Sequence, residues 1–330
     1  MTFAVTYQSA DDPADAMQVI DVADPPPPAP GQIQVRVTAF PIHPGDLLAA
    51  SNAPRNEDLL VAGHEATGVV TQTGPGTSRF SSGARVTFFP HVGAWRQIVN
   101  VDADIAVAVP DTVTEHVAAQ MVANPLTALQ LRRLAEQHTN VGYHGVVVNN
   151  AAASSVGRLF TAIANQHGID TIGIVRSHER VHQLAQRFPE VPVISTSDND
   201  WTNQVRSAAA GRPILAAFDP VGGTTATTLL SLLSAGGTLT VYGQLDPQPI
   251  TLHASTMLPR GLTVRAMTIS RWFDSVSAEQ RAAELASVLA IAENYAPEFE
   301  TTAIYSLDRL ADAVAHVLRP GKLGTALIKP

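Results

Sequence analysis

A run of small side chains gives the strongest indication of chemistry in this sequence. Residues 150–157 read Asn-Ala-Ala-Ala-Ser-Ser-Val-Gly and follow an apolar run of β-type residues. At a strand-to-helix turn, such residues let backbone N–H groups approach a phosphate at the start of the helix. Only the last glycine matches the fingerprint of a dinucleotide-binding turn, so the run alone also fits a tight turn that binds no nucleotide. The candidate phosphate contacts are Ala153, Ser154, Ser155, Val156 and Gly157, with Ser154 standing where a central glycine is usual.

An arginine follows at the position whose residue type distinguishes NADP-binding from NAD-binding proteins. Arg176 ends the next predicted strand, about 20 residues after the turn. An acidic residue there would hydrogen-bond the ribose 2′-OH of NAD, whereas arginine favours the 2′-phosphate of NADP through charge-assisted bonds. Ser177 is adjacent, and Arg180 lies one helical turn later. The alternative is an arginine that only ends a strand in solvent; we predict NADPH as the cofactor.

Elements of two kinds must position these residues. The sequence predicts strands at 144–150, 170–175, 191–196, 214–219, 237–243 and 262–269, and helices at 157–167, 179–187, 201–210 and 224–233. Apolar runs joined by helical crossovers are typical of a doubly wound parallel sheet. Residues 1–122 instead carry short β-type runs, and a helix at 278–293 precedes a strand–helix–strand tail. The predicted fold class is therefore α/β.

Composition limits the function classes. The 330 residues are 45% apolar and only 15% charged, which indicates a globular chain with a substantial core. The net charge of −8 argues against a nucleic-acid partner. The absence of cysteine excludes disulfides, thiolate nucleophiles and cysteine-based zinc sites. No apolar run is long enough to span a membrane and no signal peptide is visible, so we expect a cytoplasmic protein.

Motifs along nearly the whole chain resemble the medium-chain dehydrogenase/reductase superfamily. Within it, they are most similar to the branch of zinc-free quinone oxidoreductases and mitochondrial-type enoyl-thioester reductases. The motifs are 41–46 (PIHPGD), 63–70 (GHEATGVV), 93–96 (GAWR), 122–128 (VANPLTA), the turn at 151–157, Val175-Arg176, 219–223 (DPVGG), 236–238 (GGT) and 241–243 (VYG).

The resemblance implies both architecture and activity. It implies a GroES-like catalytic domain from residues 1–122 and 274–330 and a Rossmann NADP(H)-binding domain from 123–273, with the active site in the cleft between them. It further implies hydride transfer from NADPH to an activated C=C bond or a quinone, and a small-molecule substrate. Homodimers commonly form in this family through the last strand of the Rossmann sheet, here near 264–269.

The resemblance also assigns roles to residues. Asn124 and Thr127 would orient the nicotinamide or the substrate, although Asn124 could simply cap its helix. Val221, Tyr242 and Gly243 would line the dinucleotide groove. Trp95 is expected either as a wall of the acceptor pocket or as part of the core.

One departure from the family pattern concerns the proton donor. Enoyl-thioester reductases carry a tyrosine in the loop that corresponds to residues 47–60, and this loop contains none; its expected position falls near Ala53 or Pro54. Another residue or water must then protonate the carbon beside the carbonyl. His43, Asp46 and His64 are the candidates for this acid–base chemistry, since imidazole has an unperturbed pKa of about 6.5.

A second departure concerns metal binding. His43 stands where zinc-dependent relatives have a cysteine, and Asp46 and His64-Glu65 match their neighbouring motifs. A metal site made of His43 and His64 with Glu65 or Asp46 would polarise a carbonyl and make the protein an alcohol dehydrogenase or ketone reductase. Local hydrogen bonding in a metal-free site is the favoured alternative. A catalytically silent nucleotide-binding protein is a third hypothesis.

Overall fold

The protein consists of two compact units. The computed structural model describes residues 2–8, 16–51, 59–139, 145–319 and 321–330. Unit 1 comprises Met1–Leu126 and Phe273–Pro330, and unit 2 comprises Thr127–Trp272. Each unit has its own elements and its own hydrophobic core.

The first part of unit 1 is built from short strands, in agreement with its alternating β-type runs and frequent turn residues. Its strands are β1 (Thr2–Tyr7), β2 (Met17–Val22), β3 (Gln32–Ile42), β4 (Leu60–Val61), β5 (Ala66–Thr73), β6 (Arg85–Phe88), β7 (Ile98–Asp102) and β8 (Ala106–Ala108). Its helices are α1 (Pro44–Ser51) and the short α2 (Glu115–Ala118).

Unit 2 alternates strands with helices. Helix α3 (Ala123–Thr139) crosses the boundary between the units. It is followed by β9 (Val146–Asn150), α4 (Ser155–Gln166), β10 (Thr171–Val175), α5 (His178–Arg187), β11 (Val193–Ser195), α6 (Trp201–Ala209), β12 (Ile214–Asp219), α7 (Gly223–Leu232), β13 (Thr238–Val241), α8 (Ala254–Met257), β14 (Thr263–Ala266) and α9 (Ile269–Ser275).

The chain then returns to unit 1. Its last elements are α10 (Ala278–Asn294), β15 (Thr301–Ser306), α11 (Leu310–Leu318) and β16 (Thr325–Lys329). Strand β16 pairs antiparallel with β3, so the two ends of the chain build one sheet, in the order β15-β16-β3-β5-β6-β8 with β7 also on β3. A smaller sheet has the order β2-β1-β4.

The sheet of unit 2 is parallel throughout, which confirms the predicted α/β class. Its order is β11-β10-β9-β12-β13-β14. Every residue of β9 and β10 is buried, as expected for strands covered on both faces. The chain reverses its direction across the sheet between β9 and β12, and ligands bind outside the carboxyl ends of strands at such a switch point.

The boundaries differ slightly from those predicted. The units divide inside α3 rather than before it, because the first turn of α3 is tied to unit 1: Glu65 accepts the backbone N–H groups of Val122 and Ala123. The last strand of the parallel sheet ends at Ala266 instead of continuing to Ile269, where α9 already begins.

Two further expectations can be compared with the extent of the described residues. His144, placed at the start of a predicted strand, lies outside them. Within the described part of the chain, no helix combines the length and the apolar character needed to cross a membrane.

Candidate functional site

The turn after β9 has the geometry of a phosphate-binding turn. Ser154 is the N-cap of α4, and its side chain accepts the N–H of Gly157 at 3.1 Å. The serine therefore organises the helix start where other dinucleotide turns use glycine. A Cβ added to Gly157 would lie only 2.5 Å from the carbonyl oxygen of Ala151, so only glycine allows this close packing of the helix start against the turn. Ala153, Ser155 and Val156 are half-buried along the same turn.

The next strand ends in the predicted arginine. Arg176 is exposed directly after β10, and Ser177 precedes α5 without using its side chain as a cap. Arg180 is half-buried and is held by Glu179 and Gln183 on its own helix. An unengaged guanidinium at a strand end, beside a helix N-terminus, suits a phosphate. Of the two arginines, Arg176 is thus the better placed to receive one.

A third set of residues surrounds the ends of β12 and β13. A Cβ on Gly243 would lie 2.7 Å from the carbonyl oxygen of Pro220, so glycine is needed where the two strand ends meet. Val221 is half-buried beside them. The hydroxyl of Tyr242 is buried and has no hydrogen-bond partner among the described residues. Its burial, together with the charge of Asp219, raises the pKa of Tyr242, which keeps the hydroxyl a donor.

These observations fit a bound dinucleotide. The close-packed turn would hold the pyrophosphate, Arg176 with Ser177 would hold a 2′-phosphate, and the unpartnered Tyr242 hydroxyl could donate to the ligand.

In unit 1, the three acid–base candidates and Glu65 form two hydrogen-bonded pairs. The first is His43 and Glu65, whose Nε2 and Oε2 atoms are 2.6 Å apart. Glu65 is completely buried, and only 16% of the His43 side chain is exposed. Burial opposes the charged imidazolium, but the hydrogen bond to Glu65 and the charges of Glu65 and Asp46 outweigh it, so the pKa of His43 is raised.

The second pair is Asp46 and His64. Asp46 is 5% exposed, and it accepts the backbone N–H of His43 at 3.0 Å through one oxygen. Its other oxygen lies 2.8 Å from Nδ1 of His64. The His64 side chain is 31% exposed, and no described residue is recorded as a partner of its Nε2. A buried carboxylate that orients an imidazole in this way leaves Nε2 available for proton transfer.

The metal alternative is not supported by this arrangement. Nε2 of His43 and Oε2 of Glu65 face each other, Nδ1 of His64 faces Asp46, and the second oxygen of Glu65 is occupied by backbone N–H groups. Among the described residues, no three His, Asp or Glu side chains converge in a geometry that could hold a metal ion. The proposed set His43, His64 and Glu65 therefore does not fit one.

Asn124 and Thr127 occupy the first turns of α3. Asn124 is not the helix cap, because the helix begins one residue earlier at Ala123. Its side chain is 8% exposed, whereas Thr127 is half-buried. The N-terminus of this helix is satisfied instead by the Glu65 carboxylate, a favourable charge at a helix start.

The position of Trp95 decides between its two predicted roles, a wall of the acceptor pocket or a part of the core. It is fully buried in the core of unit 1 and stacks on Phe40, with ring centroids 5.0 Å apart and an interplanar angle of 18°. A Cβ on Gly63 would overlap its indole, 1.9 Å from Cδ1. Trp95 thus fills the core rather than lining an open pocket.

The His43–Glu65 pair makes a testable contribution to stability. Because the pKa of His43 is raised on folding, the pair stabilises the fold fully below the unfolded-state pKa of about 6.5, and this stabilisation is lost as pH rises through the folded-state pKa. Replacing Glu65 with Gln should lower the free energy of unfolding by about 2 kcal/mol at acidic pH. The deficit should shrink as the pH rises, as measured by urea unfolding across pH.

The control for this prediction is Asp312→Asn, which removes the carboxylate of an exposed ion pair with Arg309. It should cost little at any of these pH values. A deficit in the Glu65 variant that is independent of pH would show that the charge of His43 plays no part.

Sequence reasoning missed two contacts. It treated Glu65 only as a metal candidate, although its carboxylate also anchors the start of α3. The second is the hydrogen bond that Asn150 donates to Asp219 at 2.6 Å, although Asp219 belongs to the 219–223 motif. The contact between Asn150 and Asp219 could have been inferred from the sequence, since both residues end strands of the predicted parallel sheet and the carboxyl ends of parallel strands share one edge.

Two family models match the chain. An alcohol dehydrogenase GroES-like domain matches residues 29–111, and a zinc-binding dehydrogenase model matches residues 155–287. Together they cover more than half of the chain. His43, His64 and Glu65 lie in the first range, not in the range of the model described as zinc-binding.

Similar proteins agree with these matches. The chain is 29% identical over 276 residues to a mitochondrial enoyl-[acyl-carrier-protein] reductase of Caenorhabditis elegans, covering 82% of this chain and 78% of the relative. An Arabidopsis thaliana protein of the same description is 26% identical over 308 residues, covering 90% and 80%.

Two solved structures share the fold. Escherichia coli quinone oxidoreductase complexed with NADPH has a TM-score of 0.87 at 20% identity, covering 99% of this chain and 100% of that chain. A complex of Etr1p with NADP and crotonyl-CoA has a TM-score of 0.79 at 19% identity, covering 100% and 99%. With the family models, the chain belongs to the medium-chain dehydrogenase/reductase superfamily, and the curated relatives to which it is similar are mitochondrial enoyl-[acyl-carrier-protein] reductases.

Proposed function

We propose that this protein is an NADPH-dependent oxidoreductase that reduces a small molecule with an activated C=C bond, such as an enone or enoyl thioester, or a quinone. The observation that carries the proposal is the close-packed turn of unit 2, followed by the exposed Arg176 at the next strand end. The names of the similar proteins, which refer to enoyl reduction and quinone reduction, support the substrate class.

The residues of unit 2 would bind and orient the cofactor. When bound, NADPH supplies a hydride from its nicotinamide ring. The turn at 150–157 would hold its pyrophosphate, Arg176 and Ser177 its 2′-phosphate, and Val221, Tyr242 and Gly243 the groove between. Arg180, which already has partners on α5, would contribute less.

The residues of unit 1 would supply the proton as a general acid. Reduction of an activated C=C bond requires a proton at the carbon beside the carbonyl. His64 is the better donor of the two histidines, because Asp46 fixes its Nδ1 and its side chain is twice as exposed as that of His43. His43 is committed to the buried Glu65 and would act through position rather than by transfer. The loop position where relatives carry tyrosine, near Ala53 and Pro54, lies outside the described residues.

A spectrophotometric assay tests the proposal. The purified protein is mixed with NADPH and, in separate reactions, with an enoyl thioester, an enone and a quinone. We expect NADPH oxidation with at least one of the three, unchanged by a metal chelator. Activity that the chelator abolishes would favour the metal-dependent alternative. Tight NADPH binding without oxidation in any reaction would favour the catalytically silent alternative.

We also propose a homodimer that forms along β14. This strand is the edge of the parallel sheet, and Thr263, Arg265 and Ala266 are exposed along it. Light scattering should give about twice the 34.8 kDa chain mass. Ala266→Glu should weaken association because the two-fold brings the like charges together, whereas Ala282→Glu on α10 should not. A monomeric wild-type protein would contradict the proposal.

A further inference from the structure

The ends of β9 and β12 are joined by a buried amide–carboxylate contact. Nδ2 of Asn150 donates to Oδ1 of Asp219 at 2.6 Å, and the two residues are 4% and 0% exposed. These strands are neighbours in the sheet and lie on either side of the point where the chain reverses direction. The contact therefore spans the crevice position at which a dinucleotide would bind.

Asn150 organises the phosphate turn at its own end of the contact. Its Oδ1 accepts the backbone N–H of Ala151 at 2.9 Å. Ala151 has a φ of +52°, a left-handed conformation that residues other than glycine rarely adopt. The side-chain bond thus holds the first residue of the turn in the conformation that the turn requires.

Asp219 organises the other loop. Its Oδ2 accepts the N–H of Gly222 at 2.8 Å, and its Oδ1 also accepts the N–H of Val221 at 3.2 Å. Gly222 has a φ of +85° and immediately precedes α7. The carboxylate therefore fixes the conformation of the 220–222 loop. The Tyr242 hydroxyl, which has no hydrogen-bond partner among the described residues, lies nearby.

We propose that Asn150 and Asp219 are positioning residues that hold the phosphate turn and the 220–222 loop in a fixed relation, and that NADPH affinity depends on this link. The inference rests on the proposed function, because it concerns the binding of the same cofactor. Neither side chain needs to touch the ligand. Asn150 contributes its amide donor and Asp219 its charge, and both are otherwise satisfied within unit 2.

Exchanging the two side chains tests the link. Asn150→Asp places two carboxylates face to face, and Asp219→Asn turns an amide donor towards either the Asn150 amide or the Gly222 N–H. The double exchange restores one donor–acceptor pair between the two side chains, because the amide nitrogen at position 219 then donates to the carboxylate at position 150 while the amide oxygen still accepts the N–H of Gly222. Each single variant should raise the NADPH Kd at least about 10-fold, and the double variant should return to within about 3-fold of wild type. Fluorescence titration of NADPH measures these constants.

A ligand fragment separates positioning from general damage. The fragment adenosine 2′-phosphate carries the 2′-phosphate but lacks both the pyrophosphate and the nicotinamide half, so its Kd should change by less than about 2-fold in every variant. Asp200→Asn, which neutralises the acceptor of another amide–carboxylate contact in unit 2, serves as the matched control and should bind both ligands normally. Asn150→Ala removes the link together with the acceptor of the Ala151 N–H, and it replaces any exchange variant that does not fold.

Three results would overturn the inference. They are wild-type NADPH affinity in the single variants, an equal loss of affinity for NADPH and adenosine 2′-phosphate, and a double variant that binds NADPH no better than the single variants. Failure of the proposed function looks different, because the wild-type protein itself would then bind neither ligand.

Discussion

Replacing His64 with Gln is expected to slow the reduction of an enoyl thioester or enone by about 100- to 1,000-fold, the range in which a positioned general acid contributes. Glutamine keeps a hydrogen-bond donor for Asp46 but has no proton to transfer. The NADPH Kd should not change, because the residues proposed to hold the phosphates of NADPH, 150–157 and Arg176, are not altered. Steady-state rates with saturating NADPH measure the effect.

The acceptor provides an internal control for this prediction. A reduced quinone is protonated on oxygen, which water accomplishes readily, so quinone reduction should suffer much less than C=C reduction. His91→Gln changes another histidine of unit 1, whose ring packs edge-on against Phe88, and should leave both rates near wild type. Equal losses with quinone and enone would show that His64 has a structural role instead.

Replacing Arg176 with Ala is expected to raise the Kd for NADPH by about 10- to 100-fold, while the Kd for NADH changes little. Hydrogen bonds to charged groups contribute about 1.5–3 kcal/mol, and every 1.4 kcal/mol corresponds to tenfold in affinity. The exposed guanidinium has no partner to lose among the described residues, so the fold should be unaffected. Titration of both cofactors at fixed ionic strength measures the preference.

Charge reversal extends the Arg176 experiment. Arg176→Asp should invert the preference, since an acidic residue at this strand end bonds a ribose 2′-OH and repels a 2′-phosphate. Arg187→Ala, at the opposite end of α5, is the matched loss of one positive charge and should leave the preference intact. An unchanged preference in Arg176→Asp would rule out this residue as the determinant.

The parallel sheet could be predicted from sequence because its inner strands are buried on both faces. A strand such as β12 therefore appears as an uninterrupted apolar run, and its predicted and observed limits are both 214–219. The turn between β9 and α4 could also be predicted from sequence. Its small residues and its single essential glycine are required by close packing within the turn itself.

The acid–base cluster could not be predicted in the same way. His43 and Glu65 are separated by β4 and α1 along the chain, and only the folded unit brings Nε2 and Oε2 within 2.6 Å. Spacing alone allowed the same side chains to converge on a metal. The choice between core and pocket for Trp95 likewise depended on what Phe40 and Gly63 present to it, which no local pattern encodes.

Product analysis with deuterated cofactor tests the central claim most directly. The protein is incubated with an enone or enoyl thioester and NADPH that carries deuterium at the transferable position of its nicotinamide C4. Hydride transfer to carbon predicts a reduced product with one deuterium at the β-carbon and a solvent proton at the α-carbon, in equal amount to the NADP formed. A reduced product without deuterium, or NADP formed without reduced product, would contradict the account.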